Sequence, residues 1–332
     1  MGQCVLAGDV GGTKTNLAVY ARDDRGALVL LREATVHSRE AASLDAVVAA
    51  FLREGGETIA AAAFGIAGPV LGGVVDVTNL PWHVEARSVA RAIGCPGVRL
   101  LNDLETTAYG ALFVEAREIL VLSPGEPVPG NRAVIAAGTG LGEGLLFWDG
   151  ARYHPSATEG GHVDFGPRDA REEALLRFLR PRVGRVTWER VVSGPGLHHL
   201  FTYLVEGEGR TPSDAVRARL SREDPSAVIG EVGVAGGCAV CVEAVDLFVS
   251  LYGSQAGNLG LATLAVAGVY VGGGIVTKLL PKVTAGAFLR AFLDKEPHQA
   301  LMRRMPLAVI LTPKASLIGA AHVAAEMVST GL

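Results

Sequence analysis

The chain has 332 residues, of which 49% are apolar and 19% charged, with a net charge of -4. This composition predicts a soluble globular protein with room for two domains, and it excludes a disordered chain. No cluster of basic residues marks a nucleic-acid surface, so no nucleic-acid partner is expected. Asp9 interrupts the first apolar stretch and no signal-peptide pattern is present, so we expect a cytoplasmic protein.

The first elements in chain order predict an antiparallel meander followed by α/β structure. Strands are expected at 5–10, 16–20, 27–31, 59–66 and 98–101. A helix is expected at 43–54, with Ser43 as its N-cap. The last of these strands runs directly into Asn102-Asp103, so two polar side chains are expected at its end.

The second half repeats this plan. Strands are expected at 133–137, 145–148 and 269–271, and the final helix at 316–328. The proline- and glycine-rich stretch 123–130 is the candidate surface loop near a domain boundary.

The charge-free run 247–277 is long enough on paper to span a membrane. Polar residues and glycines interrupt it, so we expect a buried helix, a second short helix and a buried strand, and no membrane partner. Cys238 and Cys241 form a Cys-x-x-Cys pair without a second pair elsewhere. We interpret them as structural thiols in a reducing compartment.

Two glycine–threonine turns, each between strand-like runs, are the strongest functional signal. The first is Asp9-Val10-Gly11-Gly12-Thr13-Lys14 and the second is Gly138-Thr139-Gly140-Leu141-Gly142. Glycine lets the backbone approach a ligand, and the bared N–H groups with the threonine hydroxyl form a cradle for phosphate oxygens. Two turns of one build predict a nucleotide held in a cleft between two similar domains. Lys14 either neutralises phosphate charge or faces solvent.

Two commoner phosphate-binding motifs do not fit these turns. Residues 8–15 nearly spell a Walker A motif, but Thr13 stands where glycine is needed, and a strand rather than a helix follows. A dinucleotide fingerprint fails at the second turn, where Glu143 replaces the last glycine and a strand again follows. By contrast, a strand leading into Gly272-Gly273-Gly274 and a helix from Ile275 suits the adenosine end of a nucleotide.

A series of motifs in fixed order covers almost the full chain. They are Leu6-Ala7-Gly8-Asp9-Val10-Gly11-Gly12-Thr13, Leu101-Asn102-Asp103, Ala137-Gly138-Thr139-Gly140-Leu141-Gly142, Glu159-Gly160-Gly161-His162-Val163-Asp164-Phe165, Glu189 ahead of Ser193-Gly194-Pro195-Gly196, and Gly272-Gly273-Gly274. In this order they resemble the actin-like ATPase superfamily and, within it, the bacterial glucokinases.

The resemblance implies an α/β fold of two actin-like (ribonuclease H-like) domains, each a mixed sheet flanked by helices, with a cleft between them. Residues 1–112 with 313–332 would form the small domain and 113–312 the large one. The resemblance also implies a homodimer. A neighbouring family of sugar kinases and repressors carries a cysteine-rich zinc motif after its glutamate–histidine pair. Here no cysteine lies near His162, and no DNA-binding helices precede the first turn, so the zinc-free branch is expected.

Phosphoryl transfer to a sugar hydroxyl requires a base, charge stabilisation at the γ-phosphate and exclusion of water. Asp103, at the end of a buried strand, is the candidate base. The alternative is that Asn102 and Asp103 only cap the helix expected near Glu105. Asp9 would repel phosphate unless a cation intervened, so we expect it to hold Mg²⁺ through water. The alternative for Asp9 is a turn-stabilising Asx bond.

The sugar-binding groups implied by the resemblance are Asn102, Asp103, Glu159, His162 and Glu189, whose polar atoms suit a ring of hydroxyls. The loop Asn79-Leu80-Pro81-Trp82 resembles a loop on the sugar side. There Asn79 either bonds a hydroxyl or caps the loop, and Trp82 either stacks on the sugar or packs beneath it.

The implied activity is ATP-dependent phosphorylation of glucose at the 6-hydroxyl, giving glucose 6-phosphate and ADP. A kinase for mannose, fructose or glucosamine is the nearest alternative, and polyphosphate is a second phosphate donor to consider. A sugar-sensing regulator would need a DNA-binding segment or basic patch. A non-kinase actin-like ATPase would hydrolyse ATP without sugar.

Overall fold

The computed structural model describes residues 4–95 and 97–330, which fall into two compact units. Unit 1 is drawn from Met1–Glu118, Gly144–Ala157 and Thr312–Leu332, and unit 2 from Ile119–Glu143 and Thr158–Leu311. The functional domains expected from the sequence, 1–112 with 313–332 and 113–312, remain a proposal.

The first stretch of chain alternates strands with three helices. Its elements are β1 (Cys4–Val10), β2 (Lys14–Arg22), β3 (Leu28–His37), α1 (Leu44–Arg53), β4 (Ile59–Ile66), β5 (Val74–Asp76), β6 (His83–Glu85), α2 (Ala86–Ile93), β7 (Val98–Asn102) and α3 (Asp103–Gly110). Ser43 caps α1 as expected, because its hydroxyl accepts a hydrogen bond from the Ala46 N–H at 3.2 Å.

The first sheet has the strand order β3-β2-β1-β4-β7, and β5 pairs with β6 in a separate ribbon. β1, β2 and β3 are antiparallel neighbours, whereas β4 and β7 continue the sheet in parallel with β1. In this register Val10 lies beside Ile66, and Ile66 beside Asn102. The ends of β1, β4 and β7 therefore meet at one edge, where ligands bind in sheets of this kind.

β3 is longer than expected, since it runs from Leu28 to His37 rather than over 27–31. It is the edge strand of its sheet, so polar side chains such as Glu33 and Thr35 face solvent while their backbone pairs with β2. The prediction ended this strand at Leu31, where polar residues begin. A strand ends at its first polar residues only if both faces of its sheet are buried, which is not the case for β3.

The second stretch contains a second sheet and most of the helices. Its elements are β8 (Ile119–Ser123), β9 (Arg132–Ala137), β10 (Leu141–Trp148), β11 (Tyr153–Thr158), α4 (Ala170–Val183), α5 (Gly194–Thr202), α6 (Asp214–Leu220), α7 (Pro225–Val234), α8 (Ala239–Thr263), β12 (Gly268–Gly272), α9 (Gly274–Lys278), α10 (Leu280–Thr284), α11 (Ala287–Leu293), α12 (Gln299–Arg304), β13 (Leu307–Ile310) and α13 (Ala315–Thr330). Of these, α13 and residues 144–157, which cover most of β10 and β11, belong to unit 1. The strand order is β11-β10-β9-β12-β13-β8. The predicted loop at 123–130 joins β8 to β9 within unit 2.

The prediction of a second short helix within 247–277 is wrong, because α8 continues unbroken to Thr263 and β12 follows. Gly257, taken as an interruption, and Gly253, one turn before it, both lie against backbone carbonyls of α11. A Cβ on Gly253 would collide with the carbonyl of Phe288, and one on Gly257 would lie 2.6 Å from that of Phe292. The glycines therefore allow close helix packing rather than ending the helix.

α8 also explains the cysteine pair. Cys238 is its N-cap residue and Cys241 lies in its first turn, and both are buried free thiols, as expected. Within residues 4–95 and 97–330 no single helix is long and apolar enough to cross a bilayer, although α7 and α8, bent by 97°, would meet the length and composition test together.

Unit 2 buries two acidic side chains. Glu172 is 2% exposed and pairs with Arg168. Glu143 is 3% exposed, and its Oε1 accepts a hydrogen bond from Gln255 Nε2 at 2.8 Å. Burial raises the pKa of the Glu143 carboxyl from 4.5 to about 6, although the bond from Gln255 opposes that rise.

Replacing Gly253 by alanine tests the packing of α8. We expect Gly253→Ala to lower the free energy of unfolding by about 1–3 kcal/mol, because the new Cβ overlaps fixed backbone atoms. Gly230→Ala in α7 is the matched control, since its Cβ would meet Leu279 at an ordinary 3.6 Å. That control should gain about 0.5–1 kcal/mol from helix propensity. Urea-induced unfolding measures both, and equal gains would contradict the assigned packing.

Glu143→Gln tests the cost of the buried carboxylate. A carboxyl whose pKa is raised on folding destabilises the folded state once it ionises, so this cost grows between pH 4.5 and about pH 6 and is complete above that range. We expect Glu143→Gln to raise the free energy of unfolding by about 2 kcal/mol at neutral pH. The gain should vanish toward pH 4.5, where both side chains are neutral.

The matched control is Glu172→Gln, which breaks the pair with Arg168 and should destabilise the protein at neutral pH. Urea-induced unfolding across the pH range provides the measurement. A Glu143→Gln gain that is independent of pH would show that ionisation is not its cause.

Candidate active site

The first glycine turn joins β1 to β2 and is held by Ser38, the residue that follows β3. Gly11 N–H donates to the Lys14 carbonyl at 3.0 Å, which closes the turn. The buried Ser38 hydroxyl donates to the Gly11 carbonyl at 2.8 Å, and its N–H donates to the Thr13 carbonyl at 3.0 Å. Sequence reasoning missed Ser38, because nothing in its local pattern marks a residue that supports a turn this far back in the chain.

Asp9 lies at the end of β1, beside this turn. Its Oδ1 accepts a hydrogen bond from the Ser316 hydroxyl at 2.8 Å, and its Oδ2 accepts one from Asn16 Nδ2 at 3.1 Å. Burial raises the pKa of Asp9 above its ordinary value, and these two bonds oppose that rise. The bonds come from α13 and from the neighbouring strand, so they differ from those of an Asx turn.

Two hydroxyl groups connect Asp9 to the start of α3. Ser316 Oγ lies 2.9 Å from Thr106 Oγ1, and Thr106 Oγ1 lies 2.9 Å from the carbonyl oxygen of Asp103. Both hydroxyl-bearing residues are buried. These polar contacts place the end of β1 and the first residue of α3 close together within unit 1.

Asn102 and Asp103 have different structural roles. Asn102 is the N-cap of α3: its Oδ1 accepts from the Leu104 N–H at 2.9 Å, and Glu105 completes a capping box through the Asn102 N–H at 2.8 Å. Asn102 Nδ2 also donates to the Gly68 carbonyl at 3.1 Å. Asp103 is the first residue of the helix, which begins two positions before the expected start, and its side chain is partly buried. The capping alternative therefore applies to Asn102.

The loop after β5 contacts the first glycine turn. Asn79 has a φ of 65°, in the left-handed region where asparagine is tolerated better than most residues. A Cβ on Gly12 would lie 3.3 Å from the Asn79 Cβ, so the two loops are in close contact. Trp82 is 3% exposed and its Nε1 donates to the Ala41 carbonyl at 3.2 Å. Of the two roles expected for Trp82, stacking on the sugar or packing beneath the loop, its burial agrees with packing beneath the loop.

The second glycine turn lies at the end of β9 in unit 2. Gly138 N–H donates to the Gly140 carbonyl, and Gly194 N–H, at the start of α5, donates to the Gly138 carbonyl, both at 2.8 Å. Thr139 is exposed, with its hydroxyl available at the tip of the turn. These two bonds fix the shape of the turn and connect it to the start of α5.

The structure brings Glu159, His162 and Glu189 together. His162 Nε2 lies 3.9 Å from Glu159 Oε2, and His162 Nδ1 lies 3.9 Å from Glu189 Oε1. His162 ends the short helical turn Gly160–His162, and Glu159 is the residue just before that turn. The side chains of Glu159 and His162 are 60% and 57% exposed. Glu189 also holds the second glycine turn, since its Oε2 accepts from the Leu141 N–H at 3.0 Å.

The third glycine run, Gly272 to Gly274, joins β12 to the short helix α9. Gly273 has a φ of 88°, and a Cβ there would collide with the Ala137 carbonyl, so only glycine fits. Tyr252, fully buried on α8, ties this run to the second turn. Its hydroxyl accepts from the Ala137 N–H at 3.0 Å and lies 3.1 Å from the Gly272 carbonyl, to which it donates. Sequence reasoning missed Tyr252, which reads as one more core residue in an apolar helix.

The predicted site residues thus form two sets. Unit 1 carries Asp9, Gly11, Gly12, Thr13, Lys14, Asn79, Asn102 and Asp103, and unit 2 carries Gly138, Thr139, Gly140, Glu159, His162, Glu189, Gly272, Gly273 and Gly274. Among the residues described, no group of three or more His, Cys, Asp or Glu side chains is arranged to hold a metal. The zinc-free expectation stays a prediction.

Comparison with known proteins gives one consistent family. The family model described as glucokinase matches residues 6–327. The glucokinase of Nostoc punctiforme is 34% identical over 338 residues, covering 97% of this chain and 99% of the relative. The crystal structure of a glucokinase from an Antarctic psychrotroph has a TM-score of 0.87 at 27% identity, covering 98% of this chain and 100% of that one.

A more distant structure shares the fold. It is a ROK family glucokinase from Streptomyces griseus in complex with glucose and AMPPNP, with a TM-score of 0.65 at 22% identity, covering 97% of this chain and 99% of that chain. The order of motifs, the mixed α/β architecture and the full-length matches lead to one conclusion: the chain belongs to the glucokinase family.

Proposed function

We propose that this protein transfers the γ-phosphoryl group of ATP to the 6-hydroxyl of glucose, giving glucose 6-phosphate and ADP. The observation that carries the proposal is the position of Glu189. One of its carboxylate oxygens holds the N–H of Leu141 in the second glycine turn, and the other faces His162. Glu189, a candidate sugar-binding residue, is thus hydrogen-bonded to the turn that is the candidate phosphate site.

Two further lines of support concern the substrates. The bound glucose and AMPPNP named for the Streptomyces griseus relative favour a hexose and an adenine nucleotide here. The exposed side chains of Glu159 and His162, with Glu189, offer both donors and acceptors for the hydroxyl groups of a sugar ring. Asn79 and Asn102 are the sugar-side candidates of unit 1, although the Asn102 amide already makes two bonds to the backbone.

In the proposed reaction Asp103 accepts the proton of the 6-hydroxyl, and that oxygen forms a bond to the γ-phosphorus. The bond from the γ-phosphorus to the bridging oxygen breaks, and ADP leaves with the electron pair. Asp103 suits the role of base because it is the first residue of α3, where the Thr106 and Thr107 hydroxyls lie 2.9 and 2.7 Å from its backbone carbonyl oxygen and fix the backbone that carries the carboxylate. A base contributes to the rate only when its geometry is maintained in this way.

The two glycine turns stabilise the phosphate charge through those of their N–H groups that do not bond within the protein. Lys14 serves as an additional cation, and Gly272 to Gly274 receive the adenosine. Asp9 fits as the protein group that holds Mg²⁺, because this ion binds through one or two carboxylates, water and the substrate phosphates. When bound, Mg²⁺ would neutralise charge on the phosphate oxygens. The bonds from Ser316 and Asn16 fix the orientation of that carboxylate.

The remaining parts of the proposal follow from the sequence. We propose a cytoplasmic homodimer that needs ATP and Mg²⁺ but no zinc, and that has neither nucleic acid nor membrane as a partner. The small domain would consist of 1–112 with 313–332 and the large domain of 113–312.

The first test is ADP release from Mg·ATP by the purified protein, without sugar and with glucose, mannose, fructose or glucosamine in turn. We expect strong release with glucose, and Asp103→Asn should reduce kcat by about 10²- to 10⁴-fold, the range typical for loss of a general base. Asp214→Asn is the matched control: it removes an exposed acid at the same first position of α6 and should leave kcat unchanged.

Each other outcome is informative. Comparable release without sugar would identify a non-kinase ATPase, and strong release with another hexose alone would reassign the substrate. Sugar-dependent turnover near the wild-type rate in Asp103→Asn would exclude this residue as the base.

A second test concerns the cation. Asp9→Asn keeps the shape of the side chain but removes its charge, so we expect the Mg²⁺ concentration for half-maximal rate to rise about tenfold or more. Asp24→Asn, in the exposed turn between β2 and β3, is the matched control and should show no change. The measurement is a Mg²⁺ titration at fixed, saturating glucose and ATP. An unchanged Mg²⁺ requirement in Asp9→Asn would remove Asp9 from the cation site.

A further inference from the structure

Glu143 is the third residue of β10, and its side chain is fixed on the inner side of the strand. Gln255, on α8, donates its Nε2 to Glu143 Oε1 at 2.8 Å. The Gln255 Oε1 in turn accepts from Asn258 Nδ2 at 2.9 Å. Because both the nitrogen and the oxygen of the Gln255 amide are hydrogen-bonded, the orientation of this amide is fixed. The amide in turn fixes the orientation of the Glu143 carboxylate.

The other carboxylate oxygen of Glu143 lies against the turn Gly160–His162. A Cβ on Gly160 would collide with Glu143 Oε2. The backbone of Glu143 is joined to the same turn, since Thr158 Oγ1 donates to the Glu143 carbonyl at 3.1 Å and accepts from the Gly160 N–H at 3.2 Å. Both the side chain and the backbone of the buried Glu143 therefore support the turn Gly160–His162.

Two of the three residues of this turn are glycines, so side chains contribute little to holding it in place. Gly160 lies against Glu143, and a Cβ on Gly161 would collide with the carbonyl of Leu141, two residues earlier on β10. The backbone of Gly160 and Gly161 therefore packs directly against β10. Glu159 and His162, on either side of them, are mostly exposed and meet each other only at 3.9 Å. Their positions are set by the turn rather than by their own contacts.

We propose that Glu143 is a positioning residue for the sugar: it holds the turn Gly160–His162 so that Glu159 and His162 face the same hydroxyl groups. This inference rests on the proposed function and adds a residue to it. Glu143 acts through the turn, while the sugar is met by Glu159, His162 and Glu189. The phosphate groups and the candidate base do not depend on it.

The experiment compares Glu143→Ala, Glu143→Gln and wild type in steady-state kinetics. Alanine removes the support, so we expect the KM for glucose to rise about tenfold or more while kcat and the KM for ATP stay within about threefold. Glutamine has the same shape and keeps the oxygen that accepts from Gln255, so it should restore the KM to within about threefold of wild type. Glu172→Gln, the other buried acid of unit 2, is the matched control and should change the melting temperature without changing the KM for glucose.

A purely structural role would give a different result. Glu143→Ala with a lower melting temperature and a wild-type KM for glucose would overturn the inference, as would a fall in kcat with both KM values unchanged. If Glu143→Ala does not fold, Gln255→Met removes the bond that orients Glu143 and should raise the KM for glucose alone. An unchanged KM in that folded variant would also overturn the inference. Absence of glucose-dependent turnover in the wild type would instead refute the proposed function.

Discussion

The close approach of α13 to α3 is the constraint on which the first half of the site depends. Gly110 of α3 and Gly319 of α13 lie against the backbone of the opposite helix, at Ala315 and Thr106 respectively, where any Cβ would collide. This contact brings Ser316 to Thr106 and to Asp9 at hydrogen-bond distance. A residue near the end of the chain therefore orients a carboxylate near its beginning, and the same hydroxyls reach the start of the helix that carries Asp103.

In unit 2, buried polar side chains on α8 hold the candidate site segments in place. Tyr252 bridges the ends of β9 and β12, so the two glycine runs that follow these strands are held at a fixed separation. Gln255, one turn later, orients Glu143 and through it the turn beside His162. One long helix thus supports the candidate phosphate, adenosine and sugar segments. The glycines at 253 and 257 are what allow that helix to pack closely enough on its other side.

These arrangements carry a cost in stability. Burial raises the pKa of both Asp9 and Glu143, which means that the charged form of each is disfavoured in the folded protein. Neutral side chains of the same shape would be better core residues. In the proposed function, the charge at Asp9 holds a cation near phosphate. The carboxylate of Glu143 fits between an amide and a glycine turn, where its two oxygens face different partners.

The family, the order of strands and turns, and the candidate site residues can be predicted from the sequence alone. Glycine runs, a helix cap and an apolar strand are local patterns, and physical rules read them from neighbouring residues alone. The capping of α1 by Ser43 and the joining of Glu159, His162 and Glu189 follow from such patterns and from the family resemblance. The polar residues that hold these groups in place are visible only in the folded protein: Ser38, Thr106, Ser316, Tyr252 and Glu143. The tertiary structure also decided that Asn102 rather than Asp103 is the helix cap, that α8 is unbroken, and that β3 extends along a solvent-facing edge. The physical reason is that a hydrogen bond or a close backbone contact between distant residues has no sequence signature, because either partner taken alone looks like an ordinary core or loop residue.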